Sequence, residues 1–316
     1  MNDRNTMAYR AAALYYRHHQ TTEAIAKDLG TSRATVSRLL KSARELGIVK
    51  IELDDSFRPS GQLDHRIAER FKVRATVVET GPTMSALMRM ERVAHEGARL
   101  LDSVMTDGTV LGVAWGSTVT EVARFLPTRQ LSDVVVVQLN GAGNARHTGI
   151  PYSGSILGSV ATAYGGQMVH FPVPAFFDQA ATKQAMWGER SVQAVLQIQR
   201  KAHVALFGIG AFGGAIPSHV YSGGYFDADQ QKTLRTQGVV GDICTVLLRE
   251  DGSYADLEVN QRATGPTPRE LAKIPRRIAV VSGGHRLQAL RAALQTGAIT
   301  DLVLDEQLAQ ALVLQR

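Results

Sequence analysis

The residues best suited to chemistry lie in two places along the 316-residue chain. In Thr22–Leu46 the cations Arg33, Arg38, Lys41 and Arg44 stand among small polar residues and apolar ones at helical spacing. Five basic residues between Arg33 and Lys50 face the single acid Glu45, an excess suited to a phosphate backbone. Ser32, Arg33, Ala34, Thr35, Ser37, Arg38 and Lys41 would point outward from the start of a second helix, with Thr22 heading the first. That is where a helix-turn-helix presents side chains to the major groove of double-stranded DNA. The second place is a set of Gly-rich loops, each following an apolar run: Gly116-Ser117-Thr118, Asn140–Asn144, Gly208-Ile209-Gly210 and Ser282–Arg286. Free N–H groups, two hydroxyls and a helix dipole at Gly116–Thr118 suit a phosphate. A plain Gly turn with a Ser or Thr N-cap satisfies the same residues.

The elements that must position these residues follow from periodicity. Ile25, Ala26 and Leu29 share one face of a short helix that Gly30 ends. Thr31 or Ser32 caps the next, whose Val36, Leu39, Leu40 and Ala43 face back onto it. Met7–His19, with Ala8, Ala12, Leu14 and Tyr15, supplies a supporting helix. The alternating run Ile48–Leu53 predicts a strand, which makes the unit a winged helix-turn-helix. An αα-hairpin with a solvated basic face is the competing reading of the same residues. Asp54–Gly61 has the charge, Pro and Gly of a linker, and Leu63, Ile67 and Phe71 mark a helix after it. The expected organisation is therefore a DNA-binding domain at 1–55, a linker at 56–62 and a large domain at 63–316.

Beyond Val73, apolar β-branched runs occur at Thr76–Glu79, Val110–Trp115, Val134–Leu139, His203–Phe207, Ile243–Leu248, Ile278–Val281 and Leu302–Leu304. Helical patterns at Leu87–Leu101, Thr118–Leu126, Ile156–Tyr164, Lys183–Arg200 and Leu287–Leu294 separate most of them. This alternation predicts an α/β domain around a mostly parallel sheet with helices on both faces. Ligands in such folds bind beyond the carboxyl ends of the strands, where the four loops fall.

Composition narrows the classes. A hydrophobic content of 44% supports a large core, and the net charge of +6 is compatible with a polyanionic partner. The amino terminus lacks a signal peptide's apolar core, and no run approaches the roughly 20 apolar residues of a membrane helix. A cytoplasmic protein without a membrane partner is expected. Cys244, the single cysteine, reads as a small buried hydrophobe. The nine histidines show no metal-ligand spacing, and neither a Gly-x-Ser-x-Gly elbow nor a Walker loop is present. Gly208-x-Gly210-x-x-Gly213 matches the dinucleotide fingerprint formally, but Gly214 and Pro217 stand where its helix must continue. No metal, no cofactor and no catalytic set are expected.

Several motifs in fixed order carry a family resemblance: Gly112-Val-Ala-Trp-Gly-Ser-Thr118, Gln138-Leu-Asn-Gly141, Phe171-Pro-Val-Pro-Ala-Phe176, Ala205-Leu-Phe-Gly-Ile-Gly210, Gly241-Asp-Ile-Cys244 and Ala279–Glu306. The chain resembles sugar-binding transcriptional regulators of the SorC type. The resemblance implies an effector domain similar to the ribose-phosphate isomerase and glucosamine-phosphate deaminase folds, a sugar or sugar-phosphate effector and a homo-oligomer, tetramer or dimer of dimers. It implies that Gly116, Ser117 and Thr118 hold a phosphate and that Asn140, beside Gly141, meets the sugar. Asp242 would accept hydroxyl hydrogen bonds and Arg286 would pair with a second anionic group. Two positions depart from the family pattern. Asn140 replaces a frequent basic residue and precludes an imine there, and Arg286 replaces a commoner lysine. The implied function is control of a carbohydrate-utilisation operon. The rivals are an active sugar-phosphate isomerase or deaminase with a DNA-binding module, and a sensor of free polyols.

Overall fold

A computed structural model describes residues 3–49, 61–81 and 83–314. The chain divides into two compact units, Met1–Pro59 and Ser60–Arg316. Among the described residues the first contains three helices, α1 (Asp3–Tyr16), α2 (Thr22–Asp28) and α3 (Arg33–Glu45). Thr21 caps α2 by accepting from the Ala24 N–H, and Ser32 caps α3 by accepting from the Thr35 N–H at 3.2 Å. Gly30 turns the chain between them at φ +62°, a conformation that costs glycine little. Ala8, Ala11 and Ala12 of α1 pack against Ile25, Ala26, Val36, Leu39, Leu40 and Ala43. Small side chains on α1 let three short helices share one core. The first helix starts earlier than expected and stops at Tyr16, and Tyr15 is exposed rather than packed. Of the expected strand, Ile48 and Val49 lie in a turn closed by Val49 N–H donating to Ala43 C=O; Lys50–Leu53 and most of the expected linker lie outside the described residues.

The second unit is built on nine strands: β1 (Arg74–Val78), β2 (Val110–Val113), β3 (Val135–Gln138), β4 (Gln167–Val169), β5 (Val204–Ala211), β6 (Val239–Ile243), β7 (Val246–Arg249), β8 (Arg276–Val281) and β9 (Asp301–Asp305). Seven form a parallel sheet in the order β1-β9-β8-β5-β2-β3-β4. The end of β5 pairs antiparallel with β6, which pairs with β7. The helices are α4 (Gln62–Phe71), α5 (Ala86–Val104), α6 (Ser117–Arg124), α7 (Ile150–Tyr164), α8 (Ala180–Gly188), α9 (Arg190–Arg200), α10 (His219–Ser222), α11 (Ala228–Thr236), α12 (Glu258–Arg262), α13 (Pro268–Leu271), α14 (Leu287–Gln295) and α15 (Glu306–Leu314).

Strand periodicity explains the layers. Leu206, Ile278, Val280 and Val303 join Val93, Leu101, Val122 and Leu157 of α5, α6 and α7 in one core. Their neighbours Ala205, Phe207, Ala279, Val281, Leu302 and Leu304 join Ile67, Leu290, Leu308 and Leu312 of α4, α14 and α15 in the other. With both faces covered, the central strands are apolar along most of their length, their charged residues falling at ends such as Arg276, Arg277 and Asp301, which makes them legible as runs rather than alternations.

Three segments differ from expectation. Ile243–Leu248 is not one strand but the β6–β7 hairpin, turned at Cys244 (φ +49°) and Thr245 (φ +71°). Two left-handed central residues suit a tight hairpin, yet neither is the Gly or Asn that would announce it. Lys183–Arg200 is two helices, broken at Glu189 by extended backbone (ψ 137°). Gly208, Ile209 and Gly210 lie within β5 rather than in a loop after it. Gly210 is required there because a Cβ would fall 1.8 Å from Asp242 Oδ1.

Candidate functional site

In the first unit, Arg33, Ala34, Ser37, Arg38 and Lys41 are exposed, while Thr22 and Thr35 are partly covered. Arg33, Ala34, Thr35, Ser37, Arg38 and Lys41 lie in the first three turns of α3, which buries Val36, Leu39, Leu40 and Ala43, and Thr22 opens α2. Ser32 is exposed but serves the helix: its hydroxyl meets both the Thr35 N–H and Thr35 Oγ1. Arg38 donates to Thr35 Oγ1 at 3.2 Å, and Lys41 lies 3.8 Å from Glu45 with both side chains exposed. Arg33 and Arg44 are exposed and add to the positive charge of α3.

In the second unit, most of the residues singled out in the strand-end loops line one cleft at the carboxyl ends of β2, β3 and β5: Gly116, Ser117, Thr118, Asn140, Asp242 and Arg286. Gly116 precedes α6 at φ +153° and ψ +158°, a conformation left almost wholly to glycine. No side chain caps α6 there, so the first N–H groups of the helix are left for a ligand or solvent. Asn140 is 1% exposed, and its Oδ1 has no hydrogen-bond partner.

Asp242 is also buried. Its Oδ2 accepts from the Thr245 N–H at 3.1 Å, whereas Oδ1 has no partner. The Tyr221 hydroxyl lies close enough to affect the carboxylate but makes no hydrogen bond of standard geometry. Burial pushes the Asp242 carboxyl up to about 6, against the opposing influences of the Thr245 N–H, Tyr221 and Arg286. Two buried side-chain acceptors without partners, on residues that line the same cleft as an uncapped helix start, suit a site for hydroxyl donors and an anion.

Two of the expected residues behave differently. Gly141 does not line the cleft. Its N–H donates to Thr264 Oγ1, its C=O accepts from Trp115 Nε1, and a Cβ would strike the Pro174 and Val173 carbonyls. Arg286 does line it, but it donates to the carbonyls of Ile209, Ser282 and Ile216 at 2.7–3.2 Å. Its guanidinium ties three chain segments together, and burial lowers it to about 10.

Residues not singled out by sequence complete the wall. Trp115, Ser218, His219 and Thr245 line the cleft. Trp115 stacks on Tyr225 (5.4 Å, 15°), and His219 meets Trp115 edge-on. Burial and the neighbouring His147 lower His219. Trp115 adjoins Gly116 in sequence and was within reach of motif reading. Ser218 and His219 belong to a segment whose position only the fold discloses. No group of three or more His, Cys, Asp or Glu able to hold a metal occurs among the described residues.

The family "Sugar-bind", described as "Putative sugar-binding domain", matches residues 55–314. The deoxyribonucleoside regulator of Bacillus subtilis (strain 168) is 29% identical over 311 residues, covering 98% of each chain. A solved domain of a possible sugar-binding transcriptional regulator from Arthrobacter aurescens TC1 is 42% identical, with a TM-score of 0.75 over 81% of this chain and 98% of its own. The full-length sorbitol operon regulator SorC from Klebsiella pneumoniae shares the fold, with a TM-score of 0.81 at 23% identity and 99% coverage of each chain.

Proposed function

Since the chain belongs to the SorC/DeoR-type family of sugar-binding transcriptional regulators, we propose that it binds operator DNA through α3 and is controlled by a sugar phosphate held in the strand-end cleft. The observation that carries the effector reading is that one cleft is lined by the uncapped start of α6 and by Asn140 and Asp242, whose Oδ1 atoms have no partner. Ser117, Thr118 and the α6 N–H groups take the phosphate, and Asn140 and Asp242 accept from sugar hydroxyls. Asn140 offers no amine, so recognition is non-covalent.

The cleft has a free volume of about 40 Å³, small beside a sugar phosphate, and we infer that it widens to admit one. The Arg286 bond to Ile216 ties the cleft-lining guanidinium to the segment before α10 and is the contact we assign to the closed state. An effector that favours the open state shifts the population by its differential affinity for the two states. Assembly into a homo-oligomer spaces two helix-turn-helix units on two half-sites. The regulated genes serve catabolism of a sugar, polyol or deoxyribonucleoside, the substrates named for its relatives.

A free polyol is the second reading, favoured because the guanidinium of Arg286 is already committed to carbonyls and leaves less for a second anion. The test is anisotropy of labelled DNA from upstream of the protein's own operon, with sugars, polyols and their phosphates added in turn. Release or tightening by one phosphorylated sugar, abolished in Ser117→Val/Thr118→Val with bare DNA binding intact, is the expected result. Response to the unphosphorylated compound alone selects the polyol. Equal loss of both activities in the double variant sinks the division of labour.

A further inference from the structure

A second cleft, distinct from the strand-end site, lies between α8, α9 and the segment leading into α13. Its free volume of about 400 Å³ is in the range of small-molecule pockets, ten times that of the cleft beside α6. Leu139 and Ile274 form part of its base. Three cations, Lys183, Arg200 and Lys273, line it, and none of them makes an ion pair among the described residues. Glu270 is the one acid, and its Oε2 is occupied by the Thr267 N–H and hydroxyl at 2.8 Å.

Lys183 is the most committed of the cations to the cleft. Its ammonium lies 5.3 Å from the centroid of the Trp187 ring, and burial lowers its pKa against the pull of Glu270. Desolvating an ammonium that has no ion-pair contact is costly, Glu270 offsets only part of that cost, and an entering anion would relieve more of it.

From this arrangement we propose that the cleft between α8, α9 and α13 is a second ligand site, for a small polyanion bearing carboxylate or phosphate groups. Lys183 and Lys273 supply the charge, and Trp187 forms a wall. The site backs onto the strand end that carries Asn140. Gln199, in its wall, donates to the Gln138 and Leu139 carbonyls, and Thr264 holds the Gly141 N–H.

The chain has two tryptophans, one in each cleft, which makes the proposal directly readable. In full-length Trp115→Phe, Trp187 is the sole indole, and citrate and pyrophosphate are titrated at constant ionic strength. A saturating change below millimolar concentration is expected, weakened at least tenfold by Lys183→Gln/Lys273→Gln and unaltered by Ser117→Val/Thr118→Val. Calorimetry on the chain with both tryptophans, with and without the lysine pair, repeats the measurement should Trp115→Phe fold poorly. A non-saturating response shared by sodium chloride, or affinity indifferent to the two lysines, overturns the proposal. Loss in the Ser117/Thr118 variant would place the anion at α6 instead. Failure of iodide to quench Trp187, restored on dilution, would show the cleft covered by a second copy of the chain.

Discussion

At the scale of single residues, Asp242 is the most consequential group in the strand-end cleft. A buried carboxyl raised to about 6 binds more protons folded than unfolded between roughly pH 4 and 6. Stability from this group is therefore full below the unfolded value and is lost as pH rises through 6. At neutral pH the ligand-free fold carries an incompletely compensated charge costing on the order of 2–3 kcal/mol, the equivalent of about two pKa units. Asp242→Asn should raise the unfolding free energy measured in urea at pH 7.5 by about that amount and change it little near pH 4, while effector control is lost. A variant destabilised at neutral pH would mean that Arg286 fully compensates the carboxylate. Thr245, left-handed and 1% exposed, is the other costly residue there, at about 1–2 kcal/mol for its backbone. Its N–H is the donor that holds Asp242 Oδ2.

At the scale of elements, one buried acid joins three strands at the end of the sheet remote from the cleft. Asp301 of β9 accepts paired bonds from Arg74 of β1 and Arg276 of β8, at 2.8–3.2 Å, and a further bond from the Thr300 hydroxyl. Burial alone would raise its pKa, but the hydrogen bonds from Arg74, Thr300 and Arg276 outweigh it and hold the carboxyl below its usual value. A lowered carboxyl stabilises above the unfolded value and is lost as pH falls through the folded one. Asp301→Asn should cost about 2–3 kcal/mol in urea unfolding at pH 7, in view of the partial exposure of both arginines. The deficit should shrink toward pH 3. A cost independent of pH would point to lost packing rather than lost charge.

For the whole molecule, the proposed division of labour separates two affinities. Arg33→Ala/Arg38→Ala should weaken operator binding several-fold and lower the salt slope by about 2, one for each phosphate contact removed. The midpoint for the effector, measured without DNA, should not move. An unchanged DNA affinity would relocate the recognition surface, and a shifted effector midpoint would mean the substitutions had damaged more than a surface.

What the sequence determined by itself was local or periodic. The α2–α3 turn, its cap at Ser32 and its core of Ile25, Val36, Leu39 and Leu40 follow from spacing over a few residues. The strands of the parallel sheet other than β4 were visible because burial on both faces makes the core of each an apolar run. The Gly116-Ser117-Thr118 loop was legible because its glycine, its hydroxyls and the helix start adjoin in the chain.

Tertiary structure decided what depends on partners distant in sequence. The β6–β7 hairpin bends at Cys244 and Thr245, which carry no turn signal of their own; at the bend Gly265 admits the Cys244 carbonyl within 1.7 Å of where a Cβ would be. Three-residue β4 has too few residues to show a period, and it exists because β3 offers it an edge. Arg286 has the charge of an anion ligand in the sequence, yet the fold surrounds it with three carbonyls. Gly141 neighbours the cleft in sequence and is turned into the wall by Thr264. A side chain's type is local, but the donors and acceptors left unsatisfied around it are set by segments 70 or more residues away.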